Sequence, residues 1–108
     1  MKIFIVQFHV KPMDNSIMPP GFPGAYVRCY SPGNDYVEAT KKSLKKLLAD
    51  NIHPEEILQP IYEMNSDDWS RHVADKWPEL ASSLLNQQDF ESAMKRDEVV
   101  YGPFGLYE

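Results

Sequence analysis

The N-terminal segment KIFIVQFHV, residues 2–10, constrains the fold more than any other part of this chain. Phe4, Val6, Phe8 and Val10 occupy alternate positions, which is the pattern of a β-strand with one fully buried face. The residues that alternate with them are Ile3, Ile5, Gln7 and His9. We therefore predict a first strand over residues 2–10.

A proline-rich loop and a second strand follow. Residues 11–24 contain four prolines and two glycines, so neither a helix nor an interior strand can continue through them. The loop retains Ile17, Met18 and Phe22, and it either folds back over the core or offers an apolar edge to another subunit. Two sets of residues then alternate: Ala25, Val27 and Cys29 against Tyr26, Arg28 and Tyr30. This alternation predicts a second strand, antiparallel to the first.

Capping residues and prolines delimit the predicted helices. Asp35 and Glu38 are spaced as a capping box, and Pro54 ends the helix that they begin. Its predicted buried stripe is Val37, Thr40, Leu44, Leu47 and Leu48, opposite Lys41, Lys42, Lys45 and Lys46. A second helix begins near residues 65–68 and ends at Pro78. Its face of Trp69, Val73 and Trp77 is predicted to lie in the core.

The remaining segments complete an α+β pattern. Residues 56–64 predict a third strand, in which Pro60 indicates an edge position or a bulge. A short third helix is predicted around residues 90–95, and residues 99–107 return to strand character, interrupted by Gly102-Pro103. The order ββαβααβ predicts a single α+β domain over residues 1–108. Its expected architecture is a four-stranded, mainly antiparallel sheet with two or three helices on one face, a ferredoxin-like variant.

Charge divides the chain into two unlike halves. The net charge is −5, but residues 1–54 carry seven Lys or Arg against four Asp or Glu, and residues 55–108 carry four against twelve. The acidic second half disfavours binding to a nucleic-acid backbone and suits a basic protein partner. The lysines of the first helix have no aromatic residues or arginines between them, so we expect a solvated face there, not a nucleic-acid site.

The cysteine content and the absence of apolar runs indicate a cytoplasmic protein. Cys29 is the only cysteine, so an internal disulfide is impossible and a reducing compartment is the simpler expectation. The N-terminal apolar run is too short for a signal peptide, and no stretch approaches the roughly 20 apolar residues that span a bilayer. We expect no membrane association.

Candidate chemistry in the sequence is sparse. Cys29 shares its strand face with apolar residues and is predicted to be buried and inert. His9, His53 and His72 lack the spacing of metal motifs, and no nucleotide-binding or hydrolase motif is present. We therefore predict no catalytic residue, no metal ligand and no cofactor, and we favour a protein that is not an enzyme.

One sheet face combines polar and aromatic residues. If the first two strands pair, Gln7, His9, Tyr26, Arg28 and Tyr30 share the side opposite the core. Tyr and Arg are enriched in protein interfaces, although cross-strand pairing alone also accounts for such a face. Asp67 and Asp68 are suited to the first turn of a helix and also contribute to the acidic half. The candidate partner-binding or ligand-binding residues are His9, Tyr26, Arg28, Tyr30, Phe22, Asp67 and Asp68.

The segments CYSPGNDYVEA and GPFGLYE, in a short acidic α+β chain, resemble small bacterial accessory proteins of mobile gene cassettes and toxin-immunity loci. The resemblance lies in size and architecture, and it assigns no role to a particular residue. It implies an acidic, catalytically inert protein that blocks a basic toxin.

Three functions are expected from these observations. The first is a non-enzymatic protein-binding module, immunity-like or accessory, whose acidic surface meets a basic partner. An alternative is a homodimer that binds a small molecule between its sheet faces or beneath the proline-rich loop. A further alternative is a small enzyme that uses His9 with Arg28 on the polar sheet face.

Overall fold

The first strand lies inside the sheet and pairs on both sides. The computed structural model describes residues 1–107. In it, β1 (Lys2–Pro12) lies between β2 (Gly24–Pro32) and β3 (Ile52–Asn65) and is antiparallel to both. β3 forms one edge of the sheet. Its pairing with β1 is irregular between Ile5 and Gln7, next to Pro60, so the predicted edge position and the predicted bulge are both confirmed.

The C-terminal strand predicted over residues 99–107 is two short strands. β4 (Val100–Tyr101) and β5 (Gly105–Tyr107) both pair antiparallel with β2 and share the far edge of the sheet. They are separate because Pro103, between them, has no N–H to donate to the ladder. Within residues 1–107 the sheet therefore has five strands where the sequence predicted four, and the predicted antiparallel α+β class is confirmed.

The helices lie near the segments that the sequence predicted. They are α1 (Tyr36–Ala49), α2 (Trp69–Lys76) and α3 (Gln87–Lys95), with short 3₁₀ turns at Ser66–Asp68 and Ala81–Ser83. The Asp35 carboxylate accepts a hydrogen bond from the Glu38 N–H at 2.8 Å and caps α1. Asn86 caps α3 in the same way through the Asp89 N–H.

Helices cover both faces of the sheet, so the prediction of helices on one face is wrong. The α1 face carries Phe4, Val6, Phe8 and Val10, with Ala39 and Leu47 of α1 packed against them. The opposite side, the α2–α3 face, carries Ile3, Ile5 and Tyr30 beneath α2 and α3. The physical reason lies in β1, whose residues 3–6 are all apolar, so that both faces of the sheet require a cover at that end. Helices on two faces also separate this fold from the ferredoxin-like arrangement.

The buried stripe of α1 is rotated from the predicted one. Val37 and Leu48 are 46% and 52% exposed, whereas the small residues Ala39 and Ser43 lie closest to the sheet. The buried Ser43 hydroxyl donates to the Ala39 carbonyl at 2.9 Å and lies 2.5 Å from the Ser31 hydroxyl. The helix therefore approaches the sheet through a polar pair that is fully satisfied.

The proline-rich loop folds back over the core, which resolves one alternative left open by the sequence. Met18 is buried in the α1-face core, whereas Ile17 is exposed. The loop is tied to the end of α1 by backbone hydrogen bonds from Met13 to Asn51 and from Ile17 to Asp50. Phe22, farther along the loop, is half-buried.

The two tryptophans belong to the core of the α2–α3 face, as predicted. Trp69 and Val73 are buried there, and Trp77 packs against them at the end of α2. The Trp69 ring stacks on Phe90 of α3, with ring centroids 4.0 Å apart. The Trp69 indole N–H donates to the Leu85 carbonyl at 2.7 Å, so its polar atom is satisfied.

The two-faced core predicts that neighbouring residues of β1 are equally critical. Ile3 and Phe4 point to opposite faces and are both buried. Core substitutions Ile3→Ala and Phe4→Ala are expected to lower the free energy of unfolding by about 2–5 and about 3–5 kcal/mol. Ile57→Ala, at the partly exposed edge strand, is the control and is expected to cost less than about 1 kcal/mol. Urea unfolding followed by tryptophan fluorescence measures all three, and an Ile3→Ala effect as small as that of Ile57→Ala would contradict the two-faced core.

Candidate functional site

The α2–α3 face is covered over only half of its length. Its helices pack on Ile3, Ile5 and Tyr30. Farther along β1, Gln7 and His9 point to the same side and are only half-buried. We call this region the open half; it consists of Gln7, His9, Tyr26, Arg28, Leu58 and Tyr107.

Three rings form an aromatic cluster on the open half. The His9 ring stacks on Tyr26 with centroids 5.1 Å apart, and Tyr107 lies 5.6 Å from His9 and 5.8 Å from Tyr26. His9 Nε2 and the Tyr107 hydroxyl share a hydrogen bond of 2.5 Å. Gly24 makes room for this cluster, because a Cβ at that position would collide with the Tyr107 ring and the Val10 carbonyl. Tyr26 remains 45% exposed and is therefore available for contact.

Arg28 and Trp77 mark the boundary between the open half and the helical cover. The Arg28 guanidinium lies 5.6 Å from the Trp77 ring, within the range of a cation–π contact. Trp77 approaches the sheet at Gly102, where an added Cβ would come to 3.0 Å from the indole. The glycine thus lets Trp77, the residue after α2, approach the end of β4 beside Arg28.

A cleft of about 350 Å³ opens at this boundary. Its lining residues are Ile5, Arg28, Tyr62, Glu63, Met64, His72 and Lys76. His72 and Lys76 lie four residues apart on α2 and so share one face of the helix. The His72 Nε2 atom is 2.7 Å from the Tyr30 hydroxyl, which fixes the imidazole over the sheet. Burial of the imidazole, followed by the positive charges of Arg28 and Lys76, lowers the pKa of His72 below its ordinary value.

The structure brings together some of the residues that the sequence singled out. His9, Tyr26 and Arg28 are neighbours on the open half. Tyr30 is fully buried beneath α2 and α3, so it contributes to the core and supports His72 from below. Tyr30 was predicted to contact a partner or ligand, and this prediction is wrong because α2 and α3 cover the half of the face on which Tyr30 lies.

The other candidates lie elsewhere. Phe22 belongs to the loop that hydrogen bonds to the end of α1. Asp67 and Asp68 follow Asn65, which pairs with Lys2 at the end of β1 far from His9. Asp68 forms an ion pair with Arg71. These acidic residues are therefore part of the α2–α3 layer and lie outside the aromatic cluster.

Sequence reasoning missed Tyr107, His72 and Lys76. The spacing of His72 and Lys76 on one helix was a usable signal for a polar helix face. The contact between Tyr107 and His9 spans 98 residues and depends on β5 pairing with the first residues of β2. No local pattern encodes a pairing of that range.

Cys29 is buried on the α1 face, as the sequence predicted. Burial raises the pKa of its thiol, so the thiolate form is disfavoured. Within residues 1–107, no three His, Cys, Asp or Glu side chains converge as a metal site requires.

The charge split of the sequence becomes a difference between the two faces of the sheet. α1 carries four lysines and one glutamate. The segment 66–95, which forms the layer on the opposite face, carries six Asp or Glu against three Lys or Arg. The α1 helix is therefore net positive, although Asp97 and Asp50 pair with its Lys42 and Lys46, and the α2–α3 layer is net negative.

Comparisons with protein-family models, with curated proteins and with solved structures find no match to this chain. In the described part of the chain, no helix combines the length and the apolar character needed to cross a membrane.

The environment of His72 predicts its titration. The imidazole should titrate below pH 6.5, and Arg28→Gln should raise the midpoint because one neighbouring positive charge is lost. Since the folded-state pKa is the lower one, the stability that neutral His72 contributes is present above the unfolded-state pKa and is lost as the pH falls below it. An NMR titration of the His72 ring protons measures the midpoint, with Lys45→Gln on the opposite face as the control. A wild-type midpoint at or above 6.5 would contradict this environment.

Proposed function

We propose that this chain is a non-enzymatic protein-binding module that meets a basic partner with the open half of its sheet and the acidic layer beside it. The observation that carries the proposal is the exposed aromatic cluster of His9, Tyr26 and Tyr107, on the same side of the sheet as the acidic layer. An accessory role of the immunity type, in which a small acidic protein occludes a basic one, is consistent with this surface.

The aromatic cluster has the properties of an interface anchor. Tyrosine supplies a large contact area with few rotatable bonds, and it is enriched among residues that dominate binding energy. The stacking of Tyr26 on His9 and the hydrogen bond from His9 to Tyr107 hold the three rings in place before any partner arrives. Little conformational entropy is therefore lost when the cluster is covered.

The charges around the cluster favour a basic partner. Glu56 of the edge strand lies opposite His9, exposed and on the same side of the sheet. Asp75 and Glu79 lie in and just after α2 and are exposed on the acidic layer. With six Asp or Glu against three Lys or Arg in segment 66–95, the α2–α3 layer presents net negative charge to an approaching cation-rich surface. A net negative surface of this kind raises the rate of association with a basic partner and favours one orientation of that partner.

The test is capture by the intact protein followed by direct binding. Tyr26→Asp and the double variant Asp75→Lys, Glu79→Lys are expected to lose a basic protein that the wild type retains from lysate of the source organism. Tyr36→Asp is the matched control and should retain it, because Tyr36 is an exposed tyrosine on the first turn of α1.

The captured protein is then purified and its affinity measured by calorimetry. We expect Tyr26→Asp to weaken binding by about thirtyfold or more, as loss of an interface anchor does, and added salt to weaken it further. The proposed surface would be refuted if the wild type and Tyr26→Asp bound the captured protein with the same affinity. It would also be refuted if every protein retained by the wild type were retained by Tyr26→Asp as well.

A further inference from the structure

We propose that the cleft between α2 and the sheet binds a small organic phosphate monoester, with the phosphate between Arg28 and Lys76 and the organic group against Ile5, Met64 and Tyr62. This site is separate from the aromatic cluster, and the proposal does not depend on a protein partner. Its volume, about 350 Å³, is at the lower end of the range for small-molecule pockets.

Two cations face the cleft without a carboxylate partner. Among residues 1–107, neither Arg28 nor Lys76 forms an ion pair, although Lys2, Lys42 and Arg71 each do. Glu63 belongs to the cleft lining, but it lies opposite Phe4 in the register, so its side chain points to the α1 face. There it pairs with Lys2 at 3.5 Å. The acid that belongs to the cleft lining is thus directed away from the two cations.

The charge of the cleft matches a phosphate monoester better than a carboxylate. Arg28 and Lys76 supply two positive charges, and a monoester carries nearly two negative charges at neutral pH. Arg28 presents a planar fork of donors suited to phosphate oxygens, and Lys76 adds a mobile point charge. The Trp77 ring supports the Arg28 guanidinium and limits the directions in which it can move.

The opposite wall of the cleft is apolar. Ile5 is buried beneath it, Met64 is half-buried, and Tyr62 presents a ring that is 57% exposed. Tyr62 and Ile5 are register partners, so their side chains lie together on the α2–α3 face. A planar or aliphatic group attached to the phosphate would cover this wall.

His72 lies in the same cleft and reports on its occupancy. The imidazole is held by Tyr30, and Arg28, Lys76 and Asp75 are the charged groups that influence it. Bound phosphate would offset the two positive charges and favour the imidazolium form. Occupancy should therefore raise the His72 titration midpoint.

The experiment is an NMR titration of the full chain with phenyl phosphate, and with inorganic phosphate and benzoate as separate arms. We expect saturable shifts at His72 and the Trp77 indole, with phenyl phosphate binding more tightly than either of the other two. Arg28→Gln and Lys76→Gln should each weaken phenyl phosphate binding by about tenfold or more. Lys45→Gln, an exposed lysine on α1, should leave it unchanged.

The outcomes separate this site from the proposed protein interface. Tyr26→Ser, which removes the exposed ring and adds no carboxylate near Arg28, should bind phenyl phosphate as the wild type does. This titration therefore tests the cleft proposal whether or not a protein partner is found. Lys76 is exposed, so Lys76→Gln is expected to keep the wild-type spectrum elsewhere and to remain interpretable if Arg28→Gln unfolds. Absence of saturable shifts at His72, benzoate binding as tightly as phenyl phosphate, or undiminished binding by Lys76→Gln would each overturn the proposal.

Discussion

Strand β1 is apolar on both faces at its start and on only one face farther along, and this change determines where the helices pack. Residues 3–6 are apolar on both faces, so this end requires α1 on one side and α2 with α3 on the other. From Gln7 onward only one face stays apolar, and the cover on the α2–α3 side stops there. The helical layer therefore covers half of the face, and its boundary at Trp77 and Arg28 follows from where β1 becomes polar.

That boundary generates both proposed sites. Beyond it, the open half exposes a prearranged set of rings in which Tyr107 of β5 reaches back to His9 of β1. At the boundary itself, His72 and Lys76 of α2 line a cleft with two cations and an apolar wall. The two sites differ in chemistry: the first offers aromatic area beside acidic groups, and the second offers positive charge. A basic protein at the aromatic cluster and a small phosphate dianion in the cleft could therefore be bound on the same face of the sheet.

The sequence predicted the local elements well and the layering poorly. Alternation in β1, the cap at Asp35 and the irregularity at Pro60 depend on neighbouring residues, so they could be recognised locally. Ile3 and Ile5 share the parity of Gln7 and His9, so the face predicted to lie opposite the core carries a second core at its Ile3 end. The site was only half predictable, because His9, Tyr26 and Arg28 follow from strand register, whereas Tyr107, His72 and Lys76 reach it through contacts distant in sequence.

Hydroxyl-radical footprinting of the isolated protein distinguishes a half-covered sheet face from one that is fully covered or fully open. Tyr26 and Tyr30 are four residues apart on one face of β2, yet Tyr26 is 45% exposed and Tyr30 is fully buried. The account predicts strong labelling of Tyr26 and protection of Tyr30 at every protein concentration. Comparable labelling of both tyrosines would show that the helices do not cover the face as described. Protection of Tyr26 that grows with concentration would show that a second copy of the chain occupies the open half, contrary to the account.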